Sequence, residues 1–225
     1  MDIDPLDLIA VLDRIGVVAF ATSGVDVGMR RRLDIFGLLA MGTVTATGGG
    51  LMRDVVVGRT PLVLDQWDYF LWAVGASIVA MIALSSHRRV PATAVGVADA
   101  VGLGAFAVAG ATAGVEAGLP LPAVLLLAAL TATGGGVIRD LLADRVPLVL
   151  RTEVNATAAV SGGFVFWLVE PTSIGIAALL GAFTAAFVRV AGIVFNINLP
   201  LLRGPAPAPG QPEAPPRRRT GTPRR

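Results

Sequence analysis

The chain has no cysteine and no lysine, and a single histidine among its 225 residues. The missing cysteines exclude a disulfide scaffold and thiolate-held metal sites. The missing lysines exclude a phosphate-binding G-x-x-x-x-G-K-[ST] loop, which Thr47-Gly48-Gly49-Gly50 resembles only superficially. One histidine cannot make a histidine-rich metal centre, and no nucleophile–base pair stands out, so neither a metal, a cofactor nor an enzymatic reaction is expected. Charge is also scarce, at 15% of residues against about 25% in a typical soluble domain. What fills the chain instead is apolar: 54% hydrophobic residues, with 27 glycines and 15 prolines. Disorder of the bulk is excluded by that hydrophobicity, and a soluble domain of this size could not hide it. The composition is that of an all-α integral membrane protein, with no nucleic-acid partner expected.

A span needs about 20 mostly apolar residues to cross about 30 Å of hydrocarbon. Seven such stretches are present: Leu8–Gly28, Ile35–Val57, Tyr69–Ser85, Ala92–Gly114, Leu121–Ala143, Val154–Val169 and Thr172–Phe195. The sixth is the shortest. Turn chemistry separates them, as at Gly58-Arg59-Thr60-Pro61 and Glu170-Pro171. They are apolar all round and lack the alternation of barrel strands. Acidic Asp2, Asp4 and Asp7 stand where a cleavable signal would be basic. Alternate loops sort the charge. One side collects Arg30, Arg31, Arg32, Arg88, Arg89, Arg145, Arg151, Arg203 and the five arginines Arg217, Arg218, Arg219, Arg224 and Arg225. The other holds Arg59 with Asp65, Glu116 and Glu170. Arginine-rich loops stay cytoplasmic, so the N-terminus is expected outside the cell's inner (plasma) membrane and the C-terminus inside. The stretch 203–225 reads as a disordered basic tail, either drawn to anionic lipid or simply solubilising.

The strongest feature is a repeat. Thr45-Ala46-Thr47-Gly48-Gly49-Gly50-Leu51-Met52-Arg53-Asp54 returns as Thr131-Ala132-Thr133-Gly134-Gly135-Gly136-Val137-Ile138-Arg139-Asp140, an offset of 86 residues. The same offset pairs Arg59-Thr60-Pro61-Leu62 with Arg145-Val146-Pro147-Leu148, Asp13 with Asp99, and Phe20 with Phe106. Each copy holds three spans, an odd number, so the second enters the bilayer from the opposite side: an inverted repeat, with its path expected near the midplane between corresponding helices. The domains follow as 7–85 for the first repeat, 92–170 for the second, 172–196 for a seventh span and 203–225 for the tail.

Glycine triplets in mid-span cost helix stability and admit two readings: a kink that frees carbonyls toward a cavity, or close helix packing. On the first, replacing Gly49 and Gly135 by leucine suppresses flux while the fold survives. Arg53-Asp54 and Arg139-Asp140 are sharper, because charge inside a membrane normally faces a bundle interior or an aqueous pathway. Since neighbours at i and i+1 do not face each other on a helix, Arg53 is expected to meet Asp140, and Arg139 to meet Asp54, across the pseudo-two-fold. These pairs either line the path or clamp the fold. Asp13 and Asp99 line that path or bond a helix end, Asp26, Arg14 and Arg189 snorkel to an interface, and His87 is solvated.

On the twice-occurring Thr-Gly-Gly-Gly-x-x-Arg-Asp the chain resembles the prokaryotic branch of the trimeric intracellular cation (TRIC) channel family, also described as glycine-transporter-domain membrane proteins. The likeness runs from about Asp7 to Leu199. It implies a homotrimer among membrane lipids, each protomer with its own pore for monovalent cations, chiefly potassium. The kinked second and fifth spans lining that pore map onto Gly48, Gly49, Gly50 and Gly134, Gly135, Gly136, and its charges onto Arg53, Asp54, Arg139 and Asp140. A carrier of small solutes, glycine among them, is the alternative; a purely structural oligomer is a third class.

Overall fold

A computed structural model describes residues 5–86, 92–150 and 154–195. Seven long helices run through them: α1 Pro5–Arg30, α2 Ile35–Val56, α4 Trp67–Ser86, α5 Ala92–Glu116, α6 Leu121–Leu142, α7 Val154–Val169 and α8 Ile174–Val194, with the single turn α3 Leu62–Asp65 after α2. All seven expected spans lie on these helices. Six are long and apolar enough to cross a membrane. The seventh, α7, has 16 residues, about 24 Å at 1.5 Å per residue. His87 and the stretch 203–225 lie outside the described residues.

The repeat is visible in the element boundaries. Helices α2 and α6 start and stop 86 residues apart at both ends, and the short turn Leu62–Asp65 has its counterpart in the 3-10 turn Leu148–Leu150. Their starts are fixed differently. Asp34 caps α2 by accepting a hydrogen bond from the Gly37 amide at 2.7 Å, whereas α6 begins at Pro120-Leu121-Pro122, where a proline near the first turn sacrifices no helical bond. The turns before and after them use the left-handed region once each. Gly118 (φ 66°) corresponds to Arg32 (φ 58°), and Gly58 (φ 74°) to Asp144 (φ 49°). Where one copy has glycine, the other holds a side chain in a conformation that costs about 1–2 kcal/mol.

Helices α1, α2, α5 and α6 form the centre, in the pairs α1–α2, α1–α5, α2–α6 and α5–α6. Helix α4 packs on α1 and α2 as α7 packs on α5 and α6, and α8, outside the repeat, lies on α5 and α7. The centre is built from small residues. A Cβ on Gly24 would meet the Met41 carbonyl and Thr45, and one on Gly110 would meet the Leu127 carbonyl and Thr131, the same contacts 86 residues on. Lipid tails offer no hydrophobic drive between helices, so close backbone approach supplies the attraction. At the pseudo-two-fold Phe20 and Phe106 stack at 5.1 Å between centroids, both buried. Large apolar side chains such as Ile78, Val79, Ile82, Leu179, Phe183 and Phe187 point outward. On a soluble protein that would be an aggregation hazard; in a bilayer it is the lipid-facing surface.

Candidate functional site: two arginine–aspartate centres

The two Arg-Asp dipeptides sit in the last turn of α2 and α6, where each carboxylate can reach the loop that follows. Asp54 accepts hydrogen bonds from Arg53 Nε at 2.8 Å, Arg59 Nε at 3.1 Å and the Leu62 amide at 3.0 Å. Asp140 accepts from Arg139 Nε at 3.0 Å and the Leu148 amide at 2.9 Å, and pairs with Arg145 at 3.1 Å. Both carboxylates are 1% exposed. The far ends of the arginines turn to the preceding repeat-equivalent helices: Arg53 to Asp13 on α1 at 3.4 Å, Arg139 to Asp99 on α5 at 3.3 Å. Arg139 also donates to Ser23 Oγ. Outside the spans, partial burial pulls the Arg145 guanidinium below its ordinary value against the opposing pull of Asp140, and the like charge of Arg139 pushes the same way as burial.

This corrects the expected exchange of partners. Arg53 binds its own neighbour Asp54 rather than Asp140, and Arg139 binds Asp140 rather than Asp54. The i, i+1 rule compares Cβ directions; a long arginine stem folds back far enough for Nε to reach the adjacent carboxylate. The two centres also lie toward opposite ends of α1. Arg53 meets Asp13, whereas Arg139 meets Ser23, ten residues and about 15 Å further along that helix.

The glycine triplets lie between them, and α2 and α6 each continue as α-helix straight through. A Cβ on Gly49 would collide with the Thr131 carbonyl, and one on Gly135 with the Thr45 carbonyl. Gly48 and Gly134 likewise face Ile138 and Met52 of the opposite helix. Close packing is therefore what these four positions provide. Leucine at Gly49 and Gly135 would push the helices apart, so the expectation that the fold survives that exchange is withdrawn. Gly50 and Gly136 differ: their nearest neighbours are the Tyr69 hydroxyl at 3.7 Å and the Arg139 guanidinium at 3.6 Å. They leave room for the arginines.

Each centre opens on a cavity. The first, about 290 Å³, is bounded by Asp13, Arg53, Arg59, Tyr69 and Glu116. The second, about 230 Å³, is bounded by Ser23, Asp26, Asp99, Arg139, Arg145 and Arg189. Behind the second, a space of about 20 Å³ reaches Phe20 and Asn155, enough for one water. Asn155 is the repeat counterpart of Tyr69, which lines the first cavity. Several of these residues were not legible as a site. Arg59 and Arg145 were marked only by recurring at the 86-residue offset, and Ser23, Tyr69 and Asn155 carried no signal. Arg189 does not snorkel; its side chain is 11% exposed and lies 3.8 Å from Asp99. Asp26 is held by Arg30 at 2.8 Å and Arg14 pairs with Asp68 at 3.3 Å. Among the described residues, no three histidine, aspartate or glutamate side chains group as a metal site.

A family model described as "Glycine transporter" matches this chain twice, at residues 10–85 and 96–171, one match on each repeat. The UPF0126 membrane protein YvgT of Bacillus subtilis is 40% identical over 197 residues, covering 84% of this chain and 94% of the relative. The UPF0126 inner membrane protein YadS of Escherichia coli K12 is 37% identical over 200 residues, covering 86% and 95%. Among solved structures, a prokaryotic TRIC channel matches with a TM-score of 0.80 at 35% identity over 86% of this chain and all of the other. The chain belongs to this family. The TRIC trimeric intracellular cation channel orthologue from Rhodobacter sphaeroides agrees, with a TM-score of 0.77 at 32% identity, covering 84% of this chain and 98% of that one. The TRIC fold thus accounts for the all-α architecture with its three-plus-three repeat and added helix.

Proposed function

We propose that this TRIC-family protein is a channel for monovalent cations, chiefly potassium, with one path through each protomer of a homotrimer in the plasma membrane. The observation that carries the reading is the pair of repeat-equivalent, charge-lined cavities, which touch α1 at residues 9–14 and 23–30, with Phe20, stacked on Phe106, at a level of that helix between them. Likeness to TRIC cation channels at a TM-score near 0.8 supports the same function. In this reading Asp13 and Asp99 offer carboxylates to an entering cation, Arg53, Asp54, Arg139 and Asp140 set the local field, Gly48, Gly49, Gly134 and Gly135 hold α2 and α6 close enough to build the path, and Gly50 and Gly136 leave room for the arginines. The arginine-rich loops face the cytoplasm and the N-terminus faces outward. The chain carries out no catalysis.

Single-channel recording in a planar bilayer under a potassium chloride gradient tests this. Discrete openings with a reversal potential near that of potassium support it; no unitary current refutes it. The family description as a glycine transporter favours one second reading. Two cavities at different levels of α1 also suit a carrier that alternates access, and saturable glycine uptake into vesicles without unitary currents would establish it.

A further inference from the structure

The two cavities are copies of one another, and their differences are therefore informative. Asp13, Arg53 and Arg59 in the first recur 86 residues on as Asp99, Arg139 and Arg145 in the second. Arg189 has no such counterpart, because α8 stands outside the repeat. It reaches Asp99 at 3.8 Å, with Asp99 already engaged by Arg139 at 3.3 Å. Among the described residues, Arg53 is the only cation paired with Asp13, and Arg189 Nε is buried without a hydrogen-bond partner.

The charge balance follows. Around the second cavity Arg30, Arg139, Arg145 and Arg189 face Asp26, Asp99 and Asp140, one positive charge in excess. Around the first, Arg14, Arg53 and Arg59 face Asp13, Asp54 and Glu116, with no charge in excess. A cleft with low-dielectric walls focuses the field of an unbalanced charge, here that of the second cavity, onto whatever enters it.

We infer that Arg189 is a selectivity-determining residue that makes the path asymmetric, repelling cations that enter through the second cavity and so rectifying the current. This rests on the conduction reading above. The physical consequence is specific: cation current entering at the Arg189 end is smaller than current entering at the Asp13 end, and the difference fades with salt. The screening length falls from about 10 Å at 0.1 M to about 3 Å at 1 M. A residue that merely ties α8 to α5 would alter melting temperature without any such salt signature.

Current–voltage curves of the full chain, inserted in one orientation into a planar bilayer in symmetric potassium chloride, decide the matter. At 0.1 M the wild type should rectify about two- to fivefold, the factor exerted by a unit charge some 4–8 Å away through a water-like dielectric, and should approach linearity at 1 M. Arg189→Gln should abolish the rectification at 0.1 M by raising current from its own end, while Arg189→Lys keeps it. Gly96 lines the same cavity, and a Cβ there would meet only Ile193, at 3.6 Å. Gly96→Asp should therefore cancel the excess charge with Arg189 in place, and serves if Arg189→Gln does not fold. A conducting wild type whose rectification and salt dependence survive in Arg189→Gln, or in Gly96→Asp where only that variant folds, overturns the inference alone. A wild type that carries no current overturns the conduction reading and the inference with it.

Discussion

Alanine at Gly49 should damage this protein more than alanine anywhere else in its triplet. Within an isolated helix the exchange would help, by up to about 1 kcal/mol. Here the new Cβ would land on the Thr131 carbonyl of α6, with the Gly135 amide at 3.6 Å behind it. Both atoms belong to the backbone of a helix and cannot rotate away, so α2 and α6 must separate along their whole contact. Overpacking a core costs about 1–3 kcal/mol and more where nothing can yield. Set against the helix gain, a net loss of about 2–3 kcal/mol is expected, and the same for Gly135→Ala. Gly50→Ala and Gly136→Ala, with nearest neighbours at 3.7 and 3.6 Å, should be neutral or slightly stabilising. Gly75→Ala is the control, having no atom within 4 Å. Thermal melts of the purified protein in one detergent would measure this, with falls of about 5–10 °C for Gly49→Ala and Gly135→Ala. If Gly49→Ala melts with Gly75→Ala, the helix contact is not as close as described and the account of the triplets fails.

Asp54→Asn and Asp140→Asn should each cost about 3–5 kcal/mol, because each strands a buried arginine; chemical unfolding should place both well below Asp13→Asn, whose carboxylate anchors no loop. Phe20→Ala should raise potassium flux into vesicles while losing about 3–5 kcal/mol of stability, and unchanged flux in a folded variant would remove the ring pair from the path. Arg218→Cys, in a chain without native cysteine, should resist an impermeant thiol reagent in intact cells and react once the cells are opened; labelling from outside would reverse the proposed orientation.

The membrane class, the seven spans and the two repeats were all legible in the linear sequence, because each depends on local quantities: apolar run length, turn residues and a fixed 86-residue spacing. Helices α2 and α6 end where the motif ends for that reason. The resemblance to the TRIC family was readable too, since its signature is contiguous. Partner choice was not. Whether Arg53 turns to Asp54, Asp13 or Asp140 depends on how far a flexible side chain can reach and on which helix ends lie beside it. Spacing along one helix says nothing of either. The same holds for the glycines, where two readings stayed open until α6 was seen to lie against α2 at Gly49 and Gly135. Arg189 shows the limit most clearly. In sequence it is one arginine near the end of the last span. Only the packing of α8 on α5 brings it to Asp99, because inside a bilayer an unpaired charge is costly enough to be drawn to whichever carboxylate the tertiary fold leaves within reach.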